Sequence, residues 1–242
     1  MKVGFIGVGY MGYGIAKNLI KHGHKLFVVA NKNRVPIDKI IYDGAEEAQD
    51  IEELCNKELD ALFLCVTNTP IATSIAEKLL DFLTSKTLII DITTHNQNGS
   101  KDMDKIFSTK NISYVECPVM GGPVQAEEGV LGGIVGATEE NFKKAESYLK
   151  NFCKDYFYFG EVGAGAKSKL LNNFLSIGTA TLVIELIKSA KKMNIDLEKL
   201  FSVAKLGSGN SAALNRIFDK VLKNDYTGFR FSTSNTLKDL TY

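Results

Sequence analysis

Residues 1–34, "MKVGFIGVGYMGYGIAKNLIKHGHKLFVVANKNR", decide the fold. "KVGFIGV" is apolar with β-branched residues and predicts a strand. "GYGIAKNLIKHG" carries apolar residues at helical spacing, with Gly23 as its stop. "HKLFVVAN" predicts a second strand. Between the first strand and the helix lie Gly7, Val8, Gly9, Tyr10, Met11 and Gly12, a Gly-x-Gly-x-x-Gly pattern. Alone the pattern is weak. Flanked by a strand, a helix and a second strand, it reads as a pyrophosphate-binding turn rather than a plain bend. The first glycine permits the tight turn, the second lets backbone approach the ligand, and the third lets helix and strand pack closely. The helix N-terminus adds free N–H groups and partial positive charge.

The end of the second strand bears on which dinucleotide binds. Asn31, Lys32, Asn33 and Arg34 stand there, and no acid appears until Asp38. An acid at this place would bind a ribose 2′-hydroxyl and repel a 2′-phosphate. A lysine and an arginine attract the phosphate, and arginine can bind it with two parallel hydrogen bonds. The prediction is NADP(H), with NAD(H) as the alternative if Lys32 and Arg34 are only solvated loop charges.

Outward from this stretch, short strand-like runs alternate with helical patterns. "EEAQDIEELCNK" predicts a helix, "LDALFLCVT" a strand, "PIATSIAEKLLDFLTS" a helix with Pro70 in its first turn, and "KTLIIDITT" a strand. "KDMDKIFSTKN" predicts a helix and "ISYVECPVM" a strand, after which "GGIVGA", "TEENFKKAESYLKNFCK" and "DYFYFG" continue the alternation. Such alternation implies a parallel sheet with helices on both faces. Past Gly160 the pattern turns wholly helical, beginning with the long apolar stretch "KSKLLNNFLSIGTATLVIELIKSAKKMNI" and continuing through "DLEKLFSVAKL", "SAALNRIFDKVLK" and "STSNTLKDLTY". The expected architecture is α/β: a Rossmann-type doubly wound sheet over 1–162, then an all-α domain over 163–242.

Composition sets broad limits. The chain has 242 residues, 45% hydrophobic and 24% charged, with a net charge of +1. No long-range field favours nucleic acid or an acidic membrane, and no bilayer-spanning run is expected. The N-terminus shows no leader pattern, so a cytoplasmic location is the expectation. Cys55, Cys65, Cys117 and Cys153 lie far apart, without metal-type spacing. They are expected to be buried, reduced and structural, and no metal site is expected.

Two later stretches carry candidate chemistry. In "VECPVMGGPVQAEEGVLGGIVG", Met120, Gly121 and Gly122 follow a strand directly, where glycines allow close backbone approach by a ligand. In "GAGAKSKLLNNF", Lys169, Asn172 and Asn173 interrupt an apolar helix. Lys169 and Asn173 are one turn apart and share a face. They suit binding and protonation of a carbonyl, but a snorkelling lysine beside a capping asparagine fits the spacing equally well.

Taken together, "GFIGVGYMG", "VVANKNR", "DITT", "ECPVMGGPVQAEEGVLGG", "GAGAKSKLLNNF" and "LKDL" resemble, in order, the motifs of the β-hydroxyacid dehydrogenase family. The resemblance spans the chain. It implies that Lys169 is the catalytic lysine and that Asn173 orients the substrate. It further implies that Gly121 and Gly122 offer backbone N–H groups to a substrate carboxylate. Val66, Thr67 and Thr94 would line the cofactor, and Lys238 would contact it. The implied reaction is reversible hydride transfer between NADP(H) and a small hydroxy acid or oxo acid of the 3-hydroxyisobutyrate, succinic semialdehyde or glyoxylate type. Burial would lower the pKa of Lys169 toward useful values. The family's pairing habit implies a homodimer or tetramer. Two departures stand out. Met120 takes the place of the family's usual serine, removing a hydroxyl donor. The chain also stops at Tyr242, whereas family members continue for several helices after the Lys-Asp-Leu element. The alternatives are a non-catalytic NADP-binding scaffold of the same fold, which tends to lack the lysine, and a 6-phosphogluconate dehydrogenase-like enzyme, which would need histidine where Asn172 stands.

Overall fold

The computed structural model describes residues 1–31, 33–227 and 231–242. The chain divides into two compact units, residues 1–169 and 170–242.

The first unit opens with β1 (Lys2–Ile6), α1 (Tyr10–Lys21), β2 (Lys25–Val29) and α2 (Val35–Tyr42). Next come β3 (Glu46–Ala48), α3 (Ile51–Cys55), β4 (Ala61–Leu64), α4 (Thr69–Leu79), β5 (Leu88–Asp91), α5 (Gly99–Ser108) and β6 (Ser113–Glu116). These six strands form one parallel sheet in the order β3-β2-β1-β4-β5-β6. Strand order reverses between β1 and β4, and in such sheets ligands bind outside the carboxyl ends at that point. The strands β1, β2, β4, β5 and β6 are largely buried on both faces, as βαβ crossovers require, while the edge strand β3 exposes Glu46 and Glu47. One face packs Val3, Phe5, Val28 and Phe63 against Ile15 and Leu19 of α1. The other packs Ile6, Leu62, Leu64 and Ile89 against Ala72, Ala76 and Phe107.

The unit continues with β7 (Val119–Met120), α6 (Pro123–Glu128), β8 (Leu131–Val135), α7 (Glu139–Leu149) and β9 (Cys153–Tyr158). These strands make a separate sheet, β7-β8-β9, with β7 antiparallel and β9 parallel to β8. A single bridge, Glu116 to Gly136, joins β6 to the end of β8. This corrects the expectation of one continuing parallel sheet and of one strand over "ISYVECPVM". Pro118 has no N–H to give a ladder, and the chain changes sheets there: Cys117 N–H still bonds Asp91 O, while Pro118 O accepts from Ile134 N–H.

Two more local corrections arise. "EEAQDIEELCNK" is not one helix. Its start is the short edge strand β3, and helix begins only after Asp50, whose side chain accepts from Glu53 N–H while the Glu53 carboxylate accepts from Gln49 N–H. Cys55, Cys117 and Cys153 are buried free thiols, but Cys65 is only partly buried. Burial pushes the Cys55 and Cys153 thiols up to about 12, which suits inert packing rather than reactivity.

The helix α1 is held along its length. A side chain at Gly14 would lie 2.5 Å from the Ala126 backbone of α6. Further along, the Asn18 amide donates to Gly14 O, Ala126 O and Glu127 O at 2.9, 2.8 and 3.1 Å. We expect Asn18→Ala to cost about 1–3 kcal/mol, because the side-chain bonds from α1 to Ala126 O and Glu127 O are lost. Urea unfolding measures it, and a loss within experimental error would show that water replaces the amide.

The helix α8 (Ala164–Lys192) begins in the first unit and continues into the second. The second unit then contains α9 (Leu197–Leu206), α10 (Ala212–Val221) and α11 (Thr233–Thr241). Ala180, Val183 and Ile187 pack with Phe201, Leu214, Ile217 and Phe218, and the Phe201 and Phe218 rings stack at 4.9 Å. By length and composition α8 is apolar enough to cross a membrane, with a mean hydropathy of 1.6 over its best window. The expectation that no stretch approaches such a run is therefore corrected. Of that helix, Ala180, Val183 and Ile187 are packed into the core of the second unit.

Candidate functional site

The glycine turn ends β1 and starts α1. Gly7 has φ +103°, and a side chain there would meet Cys65 O at 2.2 Å. Gly12 lies against Gly7 O and the Phe5 ring, so helix and strand pack without a gap. Gly9 differs: its φ is −105°, and a side chain there would meet nothing within 4 Å. Neither conformation nor packing explains a glycine at that place, whereas close approach by a ligand does. Gly9 caps α1 without a side-chain hydrogen bond, and the first turn holds no acid. The residues thus fit a dinucleotide pyrophosphate over Gly9, which Val8, Gly9, Tyr10 and Met11 would hold at a positive helix end.

The other predicted cofactor residues follow neighbouring parallel strands at the same sheet end: Asn31, Asn33 and Arg34 after β2, Val66 and Thr67 after β4, and Thr94 after β5. Lys32 lies outside the described residues. Asn31 and Asn33 are exposed, and Asn33 Oδ1 accepts from Val35 N–H. Arg34 is not a solitary cation. It donates to both Glu47 oxygens and, at 2.8 Å, to Asp38 Oδ1. These carboxylates push the guanidinium pKa further up, so it stays charged.

The sequence reading missed the buried polar cluster beneath these loops. Asp91, at the end of β5, accepts from Thr93 N–H with one oxygen. Its other oxygen bonds His95 Nε2 at 2.8 Å and accepts from Tyr114 Oη at 3.1 Å. His95 Nδ1 meets Thr69 Oγ1, which also accepts from Asn96 N–H, and Thr93 Oγ1 accepts from Val66 N–H. Asp91 and His95 are fully buried. Buried polar groups bonded on every side fix one conformation, and here they fix the loops carrying Val66 and Thr94. A charged residue closing the apolar run "TLIID" was the available signal.

At the end of β7, Met120 is exposed, and Gly121 has φ +114°. Gly122 N–H is already engaged: it donates to Gln125 Oε1 at 2.9 Å. As a donor to a substrate carboxylate it therefore has to be shared with, or released by, Gln125. Lys169 Nζ donates to Val119 O at 2.7 Å, next to this loop. In the second unit, Asn173 Nδ2 donates to Asp239 Oδ2 at 2.6 Å, and Lys238 Nζ lies 2.9 Å from Asp239 Oδ1. Asp239 is buried and was missed from sequence. Among the described residues no cluster suits a metal ion.

This geometry is that of a dinucleotide-binding oxidoreductase, and comparison with known proteins agrees. Residues 2–160 match the family described as the NAD binding domain of 6-phosphogluconate dehydrogenase, and residues 163–242 that described as NAD-binding of NADP-dependent 3-hydroxyisobutyrate dehydrogenase. The chain is 28% identical to 2-(hydroxymethyl)glutarate dehydrogenase of Eubacterium barkeri, covering 94% of this chain and 76% of that one. It is also 28% identical to the mitochondrial 3-hydroxyisobutyrate dehydrogenase of Drosophila melanogaster, covering 98% and 75%. The 3-hydroxyisobutyrate dehydrogenase of Mycobacterium tuberculosis shares the fold with a TM-score of 0.87 at 22% identity, covering 99% of this chain and 84% of that one. The chain belongs to the β-hydroxyacid dehydrogenase family and is a nicotinamide-dependent hydroxyacid dehydrogenase.

Proposed function

We propose that the protein interconverts a small hydroxy acid and its oxo partner with NADP(H), using Lys169 as general acid and base. The observation that carries this reading is the Lys169 amino group 2.7 Å from Val119 O, one residue before Met120, Gly121 and Gly122. The bound nicotinamide supplies or accepts the hydride. In reduction Lys169 Nζ gives a proton to the carbonyl oxygen, and in oxidation it takes the hydroxyl proton. Asn173, one turn further along α8, orients the substrate, with its Nδ2 held by Asp239. Gly121 offers a backbone donor to the carboxylate, Gly122 does so once its N–H is shared with or released by Gln125 Oε1, and Met120 gives that end an apolar wall. The preferred substrates are of the 3-hydroxyisobutyrate, succinic semialdehyde or glyoxylate type.

Arg34 supports NADP(H): a 2′-phosphate binds a guanidinium more strongly than a ribose hydroxyl does. Steady-state kinetics with both cofactors should show kcat/KM favouring NADPH by about tenfold or more. Glu47→Gln should widen the ratio, because the phosphate then meets one fewer carboxylate beside Arg34. A preference for NADH in the parent protein would overturn the NADP(H) reading. Turnover assays on the three substrate types test the reaction itself, and binding without turnover on any of them would favour a scaffold. The exposed apolar residues Leu171, Phe174, Leu175 and Leu182 of α8 support a homo-oligomer, dimer or tetramer, which light scattering would measure.

A further inference from the structure

Glu116 is the last residue of β6, and its side chain is fully buried. One carboxylate oxygen accepts from Gly163 N–H at 2.6 Å and Gly165 N–H at 2.8 Å, and the other from Ala166 N–H at 3.2 Å. These donors are the opening amides of α8, which a helix cannot satisfy internally. The surroundings are shaped to admit the carboxylate. A side chain at Gly136 would lie 2.0 Å from Glu116 Oε1, and one at Gly165 would lie 3.0 Å from it. Backbone pairing of Glu116 with Gly136 holds the acid at the junction of the two sheets. Burial pushes the Glu116 carboxyl above its usual range, while the Ser100 hydroxyl and the backbone donors oppose that push.

Three residues after Ala166, the same helix carries Lys169 against Val119 O. From this arrangement we propose that Glu116 is a positioning residue for Lys169: it clamps the first turn of α8 to the end of β6, and so aims the amino group at the Met120–Gly122 loop. The proposal rests on Lys169 acting as acid and base, and geometry is what that role demands. Displacing a reacting group by about 1 Å can cost about 100-fold in rate.

The test uses the full chain, with Glu116→Gln and Gly136→Ala as separate variants. Glutamine keeps one acceptor oxygen but turns an NH2 group toward Ala166 N–H, so one clamp bond is lost. Alanine at 136 keeps the acid but drives it out of place. Three quantities are measured on folded protein: dinucleotide Kd, kcat and KM for the hydroxy acid, and the rate at which an amine-acylating reagent labels Lys169. Peptide mass spectrometry reads the labelling, with exposed Lys86 as internal reference.

In both variants Kd and KM should stay within about threefold, while kcat falls about 10- to 100-fold. The Lys169 labelling rate relative to Lys86 should rise at least about threefold, because the 2.7 Å bond to Val119 O loosens. Unchanged labelling in a folded variant overturns the proposal, as does parental kcat. If Glu116→Gln does not fold, Gly136→Ala decides alone. If the parent chain turns over no hydroxy acid, the functional reading fails, and the labelling comparison still decides whether Glu116 positions Lys169.

Discussion

Replacing Lys169 by alanine is expected to lower kcat by about 10²–10⁴-fold, the usual contribution of a positioned proton donor and acceptor. Dinucleotide Kd should be unchanged, because the glycine turn and the β2, β4 and β5 loops follow other strands of the sheet. The loss belongs to kcat and kcat/KM together, since Lys169 acts on the reacting oxygen in the transition state. Methionine at the same position is a useful second variant, because it preserves the apolar stem and removes only the charge and the donor. Stopped-flow reduction with saturating cofactor would measure the effect. Near-parental turnover in both variants would remove Lys169 from the mechanism and point to another proton carrier.

The second large effect separates two glycines that sequence alone treats alike. Gly7→Ala should destabilise the first unit by on the order of 3 kcal/mol, combining a disfavoured conformation with backbone overlap. Its φ is +103°, and the new carbon would lie 2.2 Å from Cys65 O, a backbone atom at the end of β4. Neither strand can yield without breaking the parallel ladder between β1 and β4. Gly9→Ala should leave stability within about 0.5 kcal/mol, since its conformation is ordinary and the space above it is open. Yet it should weaken dinucleotide binding at least about tenfold, because the methyl group occupies the pyrophosphate's approach. Thermal unfolding and calorimetric titration would give both quantities. Parental affinity in Gly9→Ala would mean that the pyrophosphate does not pass over that residue.

The sequence revealed most where local pattern and long-range structure agree. The glycine turn, its flanking strands and the long helix carrying Lys169 are set by periodicity and turn chemistry within a few residues. The parts that escaped reading have specific causes. β3 is three residues, Glu46–Ala48, polar and at the sheet edge, so no alternation marks it. The helix α2 was missed although Pro36 stands in its first turn, and α6 although Pro123 does; proline there is an opening signal. The Asp50 and Glu53 pair was likewise a visible start signal for α3. The second sheet was illegible because antiparallel pairing of β7 with β8 depends on a partner twelve or more residues away. For the site, residue types named the candidates but not their partners. Arg34 was legible as a cation, but not its grip by Glu47. Glu116 and Asp91 were legible as acids ending apolar runs and as parts of the motifs "ECPVMGG" and "DITT", but not in their contacts. Their partners, Gly163 and Tyr114, lie 47 and 23 residues away along the chain.

The helix α1 has consequences for anyone who would redesign the cofactor choice. Gly12 abuts β1, Gly14 abuts α6, and the Asn18 amide serves three carbonyls, so successive turns of this helix are each committed to a different neighbour. The buried faces of this segment have little room for drift, whereas Tyr10 and Lys21 are exposed. The stretch after β2 is the opposite, with exposed side chains at Asn31, Asn33 and Arg34. Tolerance to substitution is therefore divided unevenly between the two stretches: the inner faces of α1 are committed to their neighbours, and the exposed side chains after β2 are free to change.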